Sequence, residues 1–206
     1  MALRQAGVED VRIAPLTRIA YLGFSPPPET IVFTSSNAVE SWRRAGHPAA
    51  DRMAFCVGPR TTAAARRLGF RIAGTARDAA GVFDLLIQSD GPFVHLRGET
   101  ERGDLCGRLT SLGRDARAIT VYQADALTLP AAIRAMISEG GLVLPVYSPR
   151  SAQLLGNECG AAALSRSGLV AISEATAAVL PGEAVRIAAR PDGEAMIEAI
   201  LEELSN

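Results

Sequence analysis

The 206-residue chain has no lysine; all 21 of its basic residues are arginine. A GC-rich coding bias accounts for that plainly. Chemically it leaves cations suited to two-pronged contacts with carboxylates or phosphates. Those cations face 22 acids, for a formal net charge of -1, which excludes an overall pull toward nucleic acid or acidic membranes. Cysteine is scarce as well. Cys56, Cys106 and Cys159 are far apart and form no C-x-x-C pair, and His47 and His95 are isolated in the sequence. A disulfide framework and a zinc site are therefore not expected, and buried thiols in a reducing cytosol are. No apolar run is long enough to span a bilayer, and "MALRQAGVED" lacks the apolar core of a signal peptide. A soluble cytoplasmic protein is expected. There is no Walker A loop, no G-x-G-x-x-G and no G-x-S-x-G elbow, so nucleotide binding and serine-hydrolase chemistry have no support.

What the chain does have is alternation of short apolar runs with helical patterns. "MALRQAG" reads as the end of a helix closed by Gly7, and "VRIAPL" as a short strand. "YLGFSPPPE" is a proline-rich loop. "TIVFT", "MAFCVG", "FRIAG", "FVHLRG" and "ARAITVYQA" read as strands, separated by helices over "NAVESWRRAG", "RTTAAARRLG", "AAGVFDLLIQS" and "RGDLCGRLTSLG". After "DALTLP" the rhythm restarts. "AAIRAMISEG", "SAQLLGNECG" and "ATAAVLPG" are helices, and "LVLPVYS", "GLVAIS" and "AVRIAA" are strands. A final amphipathic helix carries Met196, Ile197, Ile200 and Leu201 at helical spacing. This order implies an α/β protein with parallel sheets covered on both faces.

Part of the pattern repeats. Ser35 in "FTSSNAV" corresponds to Ser148 in "YSPRSA" at an offset of 113. Gly58 and Thr61 correspond to Ser173 and Thr176 at 115, and Asp78 to Asp192 at 114. Three ordered matches at nearly one period imply two copies of one α/β unit. Two such domains facing each other would make a cleft, a preferred place for a ligand.

In parallel sheets ligands bind beyond the carboxyl ends of the strands. The polar corners lie at such ends: Thr34-Ser35-Ser36-Asn37, Gly58-Pro59-Arg60-Thr61, Gly98-Glu99, Ser148-Pro149-Arg150-Ser151 and Ser173-Glu174-Ala175-Thr176. Each precedes a helix, whose unpaired N–H groups and dipole favour anions. Taken singly, Ser, Thr and Asn there are ordinary N-caps; repeated in both halves, they are candidate carboxylate donors. Tyr122 ends a strand where the first copy hands over to the second. It reads either as a half-buried strand aromatic or as a phenol able to donate a proton or hydrogen bond.

With "IVFTSSNAV", "FCVGPRTTAAARRLGF", "VHLRGETERGDL", "AITVYQA" and "VYSPRSAQLL" in this order, the chain resembles the uroporphyrinogen-III synthase family over nearly its whole length. The resemblance implies two HemD-like, flavodoxin-like α/β domains joined by a two-segment hinge. Residues 17–123 would form an inserted domain, and 1–16 plus 124–206 a split one. It implies cyclisation of hydroxymethylbilane to uroporphyrinogen III, with loss of water and inversion of ring D. No metal or organic cofactor is implied. Tyr122 matches the tyrosine expected to assist departure of the terminal hydroxyl. Thr34, Ser35, Ser36, Gly58, Thr61, Gly98, Arg102, Ser148, Arg150, Ser173 and Thr176 are the implied substrate contacts. The implied partner is the small-molecule substrate, with no nucleic acid and no membrane. A monomer in transient contact with the preceding pathway enzyme is expected. Two departures stand out. The resemblance implies a first strand of the split domain ahead of "MALRQAG", which this sequence is not expected to supply, and the last corner has Glu174, which would repel carboxylates if it faced them. Those departures suit the alternative, a non-catalytic anion- or tetrapyrrole-binding relative or an inactive truncated copy.

Overall fold

A computed structural model describes residues 2–100, 103–181 and 185–205. The chain forms two compact units, Ile19–Asp125 and Met1–Arg18 with Ala126–Asn206. In order along the chain, helix α1 (Ala2–Gln5) and strand β1 (Thr17–Tyr21) come first. Then follow β2 (Thr30–Phe33), α2 (Ser36–Arg44), β3 (Met53–Val57), α3 (Pro59–Arg67), β4 (Arg71–Ala76), α4 (Ala79–Ile87), β5 (Phe93–Gly98), α5 (Leu105–Ser111) and β6 (Ala116–Ala126). The remainder is α6 (Ala131–Glu139), β7 (Val143–Val146), α7 (Pro149–Cys159), α8 (Ala161–Leu164), β8 (Gly168–Ala171), α9 (Glu174–Ala177), β9 (Val185–Ile187) and α10 (Gly193–Leu204).

The larger sheet runs β1-β6-β5-β2-β3-β4, and the five strands β6-β5-β2-β3-β4 are parallel to one another. Strand alternation sorts its side chains onto two faces. Ile31, Phe33, Ala54, Cys56, Val94 and Leu96 face one core with Trp42 and Phe70. Val32, Phe55 and Phe93 face the other with Val82, Leu86, Leu105 and Leu109. The first core is aromatic: Trp42 meets Phe70, His47 and Phe24 at ring-centroid distances of 5.1, 5.4 and 6.0 Å. Helix ends obey the expected chemistry. Gly46 and Gly69 take φ of 69° and 93° just past α2 and α3, a conformation that costs other residues more.

The smaller sheet, β7-β8-β9, is parallel throughout. It has the strand order and direction of β2-β3-β4, as the sequence repeat implies. In the larger sheet β2 is flanked by β5; among the described residues β7 has a strand on one side only. Val146, Leu169 and Ala171 pack with Leu155, Leu164 and Leu180 on one face, and Val170 packs with α10 on the other. The buried stripe of α10 is Ala195, Met196, Ala199 and Ile200, so Ile197 and Leu201 lie at its margins rather than in it.

Three local expectations need correction. Val11–Leu16 is not a strand. Pro15 offers no N–H to a ladder, and Ala14 and Leu16 pack instead against the core of the smaller sheet. The strand is β1, whose last residue, Tyr21, was expected in the proline-rich loop. It runs antiparallel to β6, because the flanking bonds Leu22 N–H to Val121 O and Leu127 N–H to Leu16 O, both 2.9 Å, connect rising with falling residue numbers. The helix expected over "ATAAVLPG" is only the single turn α9, and α8 was not expected at all.

Trp42 is fully buried among rings, so Trp42→Ala leaves a large cavity. It should cost about 4 kcal/mol, read as a lower midpoint in urea denaturation followed by circular dichroism.

Candidate functional site

Parallel pairing brings the carboxyl ends of β2, β5 and β6 to one edge of the larger sheet. There Thr34 and Ser35 follow β2, Arg97 and Gly98 end β5, and Tyr122 lies in β6. These five residues, with Ala79, His95, Thr100, Gly103, Leu105 and Arg108, line a pocket of about 260 Å³. Every lining residue belongs to the unit Ile19–Asp125.

Ser35 is the N-cap of α2, its Oγ accepting the Asn37 N–H at 3.1 Å. A cap uses the hydroxyl as acceptor only, so the proton stays available for a ligand. Thr34 faces the pocket beside His95, with Oγ1 2.8 Å from Nε2. The register explains the meeting. Val32 pairs with His95, so Thr34 and His95 lie on the same face of neighbouring strands. Val32 and Phe93 share that face, and His95 is only 2% exposed. Burial, helped by the charge of Arg97, pushes its pKa down from 6.5 to about 4, so the ring is neutral at physiological pH.

Tyr122 pairs with Gly98 where the β5–β6 register shifts, and its carbonyl accepts the Glu99 N–H at 3.0 Å. The ring lies against the Gly98 backbone. A Cβ on residue 98 would come within 2.7 Å of Tyr122 Cε2 and 2.8 Å of Cζ. Gly98 is thus the seat of the phenol ring. Two guanidinium groups complete the lining. Arg97 Nη1 donates to the carbonyls of Gly98 and Glu99 at 3.2 Å each. Arg108 lies over the Phe83 ring, 4.0 Å from its centroid, which leaves its N–H edge for other partners. Hydroxyl donors, a phenol and two cations around one pocket make a place for a carboxylate.

Of the residues expected to contact substrate or assist the reaction, Thr34, Ser35, Gly98 and Tyr122 line this pocket together. His95, Arg97 and Arg108 were missed as site residues; strand alternation in "FVHLRG" puts Phe93, His95 and Arg97 on one face, but pairing with β2 was needed to give that face a destination. Ser36, Gly58 and Thr61 lie in the same unit but do not line this pocket. Thr61 is buried. Arg102 lies outside the described residues. In the other unit, Ser148 caps α7, accepting from Ser151 N–H at 3.1 Å and donating to Ser151 Oγ at 2.9 Å. Arg150 follows it, exposed, in the first turn of α7. Ser173 Oγ lies 3.1 Å from Thr176 Oγ1, with Thr176 fully buried and Glu174 exposed. A larger open hollow of about 520 Å³ beside α10 is lined by Arg186, Leu201, Glu202 and Ser205. Its cation is already engaged by Glu202 and Glu203 at 2.9 and 2.8 Å, so it has little to offer an anion. Among the described residues no cluster of three or more His, Cys, Asp or Glu side chains is placed to hold a metal ion.

The family described as uroporphyrinogen-III synthase HemD matches residues 2–198. No curated protein sequence matches the chain. Among solved structures, the uroporphyrinogen-III synthetase from Helicobacter pylori is similar, with a TM-score of 0.72 at 21% identity over 93% of this chain and 95% of that one. A mutant uroporphyrinogen III synthase from the extremely thermophilic bacterium Thermus thermophilus is similar with a TM-score of 0.55 at 15% identity, over 99% of this chain and 93% of that one. At these identities the likeness concerns the fold.

Two outcomes follow from the pocket geometry. Gly98→Ala should force the Tyr122 ring off its seat and cost about 2 kcal/mol, measured by urea denaturation. His95 makes the fold acid-sensitive. Above pH 6.5 the ring is neutral folded or unfolded; below it the unfolded chain takes up a proton that the folded chain refuses until about pH 4. Stability should therefore fall as pH drops through that window, by about 3 kcal/mol in full. Comparing denaturation midpoints with His95→Gln across the window checks this, because the glutamine variant should lack that part of the slope.

Proposed function

The chain belongs to the uroporphyrinogen-III synthase family, and on that premise we propose that its pocket residues take part in closing hydroxymethylbilane to uroporphyrinogen III, with loss of water and inversion of ring D. The observation that supports the residue-level reading is the convergence of Thr34, Ser35, Tyr122, Arg97 and Arg108 on one pocket. The substrate carries an acetate and a propionate on every pyrrole ring and therefore needs many donors. Pockets for whole drug-sized ligands are usually about 300–1,000 Å³. This one, at about 260 Å³, suits one ring with its two acids.

Binding does much of the work in such a reaction. Holding a flexible chain with its ends together converts an improbable encounter into a local one. The Tyr122 phenol assists departure of the terminal hydroxyl as hydrogen-bond donor or general acid. The azafulvene cation so formed is attacked from the substituted position of ring D, and the spiro intermediate reopens with ring D inverted before the macrocycle closes. Ser36 and, in the other unit, Arg150 and Ser173 supply donors for remaining carboxylates, whereas the Gly58 N–H and the Ser148 hydroxyl are engaged by Ala76 O and Ser151 Oγ, and Thr61 and Thr176 are buried. The protein works as a cytoplasmic monomer on this small-molecule substrate, without metal, organic cofactor or nucleic acid. No helix among the described residues is long and apolar enough to cross a membrane.

The test supplies hydroxymethylbilane and resolves the oxidised porphyrin products by isomer. Type III should dominate; type I alone, the spontaneous product, would remove this reading. Tyr122→Phe should lower the rate about 100-fold while leaving the circular dichroism spectrum unchanged. Wild-type turnover in that variant would take Tyr122 out of the mechanism.

A further inference from the structure

We propose that His95 is a positioning residue that sets the polarity of the Thr34 hydroxyl, holding its oxygen so that its proton points into the pocket toward a substrate carboxylate. The inference rests on the reading of this pocket as a carboxylate site. A hydroxyl has one proton and two lone pairs, and a neutral imidazole has one donor and one acceptor nitrogen. With Nε2 and Oγ1 at 2.8 Å, two arrangements exist. If Nε2 accepts the threonine proton, Thr34 shows lone pairs to the pocket and repels an anion. If Nε2–H donates, the threonine proton is released for the ligand.

The surroundings choose between them. Arg97, Arg108 and the Ser35 hydroxyl line the same pocket, and their fields favour an anion there. A carboxylate in turn favours the arrangement in which every neighbour donates. An ordinary surface threonine would rotate freely and share its proton with water. Thr34 does not, because the imidazole that holds it is itself fixed in β5, 2% exposed and packed in the apolar layer that begins with Phe93 and Val32. The register that pairs Val32 with His95 is what brings the two side chains together. His95 touches no substrate in this scheme; it acts through Thr34.

The experiment measures KM and kcat with hydroxymethylbilane for His95→Leu, His95→Gln, Thr34→Val and the His95→Leu/Thr34→Val double variant. Binding of the octacarboxylate porphyrin uroporphyrin, followed by its fluorescence anisotropy, provides a readout independent of turnover. His95→Leu should raise KM and the porphyrin Kd about tenfold with kcat changed less than about twofold. Thr34→Val should do the same, and the double variant should be no worse than Thr34→Val alone. Gln places an amide N–H within similar reach and should recover most of the loss. If His95→Leu does not fold, His95→Asn takes its place, since its shorter amide stops short of Thr34. The inference is overturned if the leucine or asparagine variant binds like wild type, if the two single effects multiply in the double variant, or if Gln recovers nothing. A wild type that yields only the type I isomer would instead defeat the proposed reaction, while porphyrin binding across the same variants would still decide the part played by His95.

Discussion

β2 and β5 lie side by side in parallel with Val32 opposite His95, and most of what is distinctive about the inserted unit depends on that pairing. It places Val94 and Leu96 against the aromatic core, and Phe93 against the opposite one. It brings the two strand ends out at the same edge, where the chain must turn into helices and where hydroxyls and N–H groups are needed in any case. Because side chains alternate strictly, slipping the register by one residue would turn His95 toward the aromatic core and Leu96 toward Thr34. Apolar burial therefore enforces the register, and the polar geometry at the edge comes with it.

The two sheets show how one repeated device diverges. β2-β3-β4 and β7-β8-β9 share order and direction, and Ser35 and Ser148 cap equivalent helices with their oxygens. The surroundings differ. Beside β2 stands β5, which carries His95 and Arg97 and leads through Gly98 to the Tyr122 ring; beside β7 no described strand supplies equivalents. At Ser148 the hydroxyl proton goes to Ser151 Oγ, whereas at Ser35 the oxygen only accepts. The same corner is thus self-satisfied in one copy and donor-rich in the other.

Much of the architecture was legible because local chemistry states it. The caps at Ser35 and Ser148, the left-handed glycines after α2 and α3, and the apolar runs of the parallel strands are all decided within a few residues. The failures share a different cause. Val11–Leu16 has a strand-like pattern, yet a strand exists only where a partner ladder does, and the ladder with β6 begins at Thr17. Tyr122 could be singled out as the residue where the first copy hands over to the second, although β6 continues past it to Ala126; the seat provided by Gly98 could not, since it depends on a register shift between β5 and β6. His95 looked solitary because its partner is 61 residues away and is delivered only by sheet order. Nothing local in the sequence distinguishes Arg108 from other helix arginines; it lies over Phe83 and lines the pocket.

Trp42 is the chain's single tryptophan, and it sits in the aromatic core of the inserted unit. Intrinsic indole fluorescence is therefore a local reporter: it observes Ile19–Asp125 and is blind to the unit built on β7-β8-β9. Backbone circular dichroism sees both. Any divergence between the two signals during unfolding would mark the independence of the two units, and any coincidence their cooperativity, without a label being introduced.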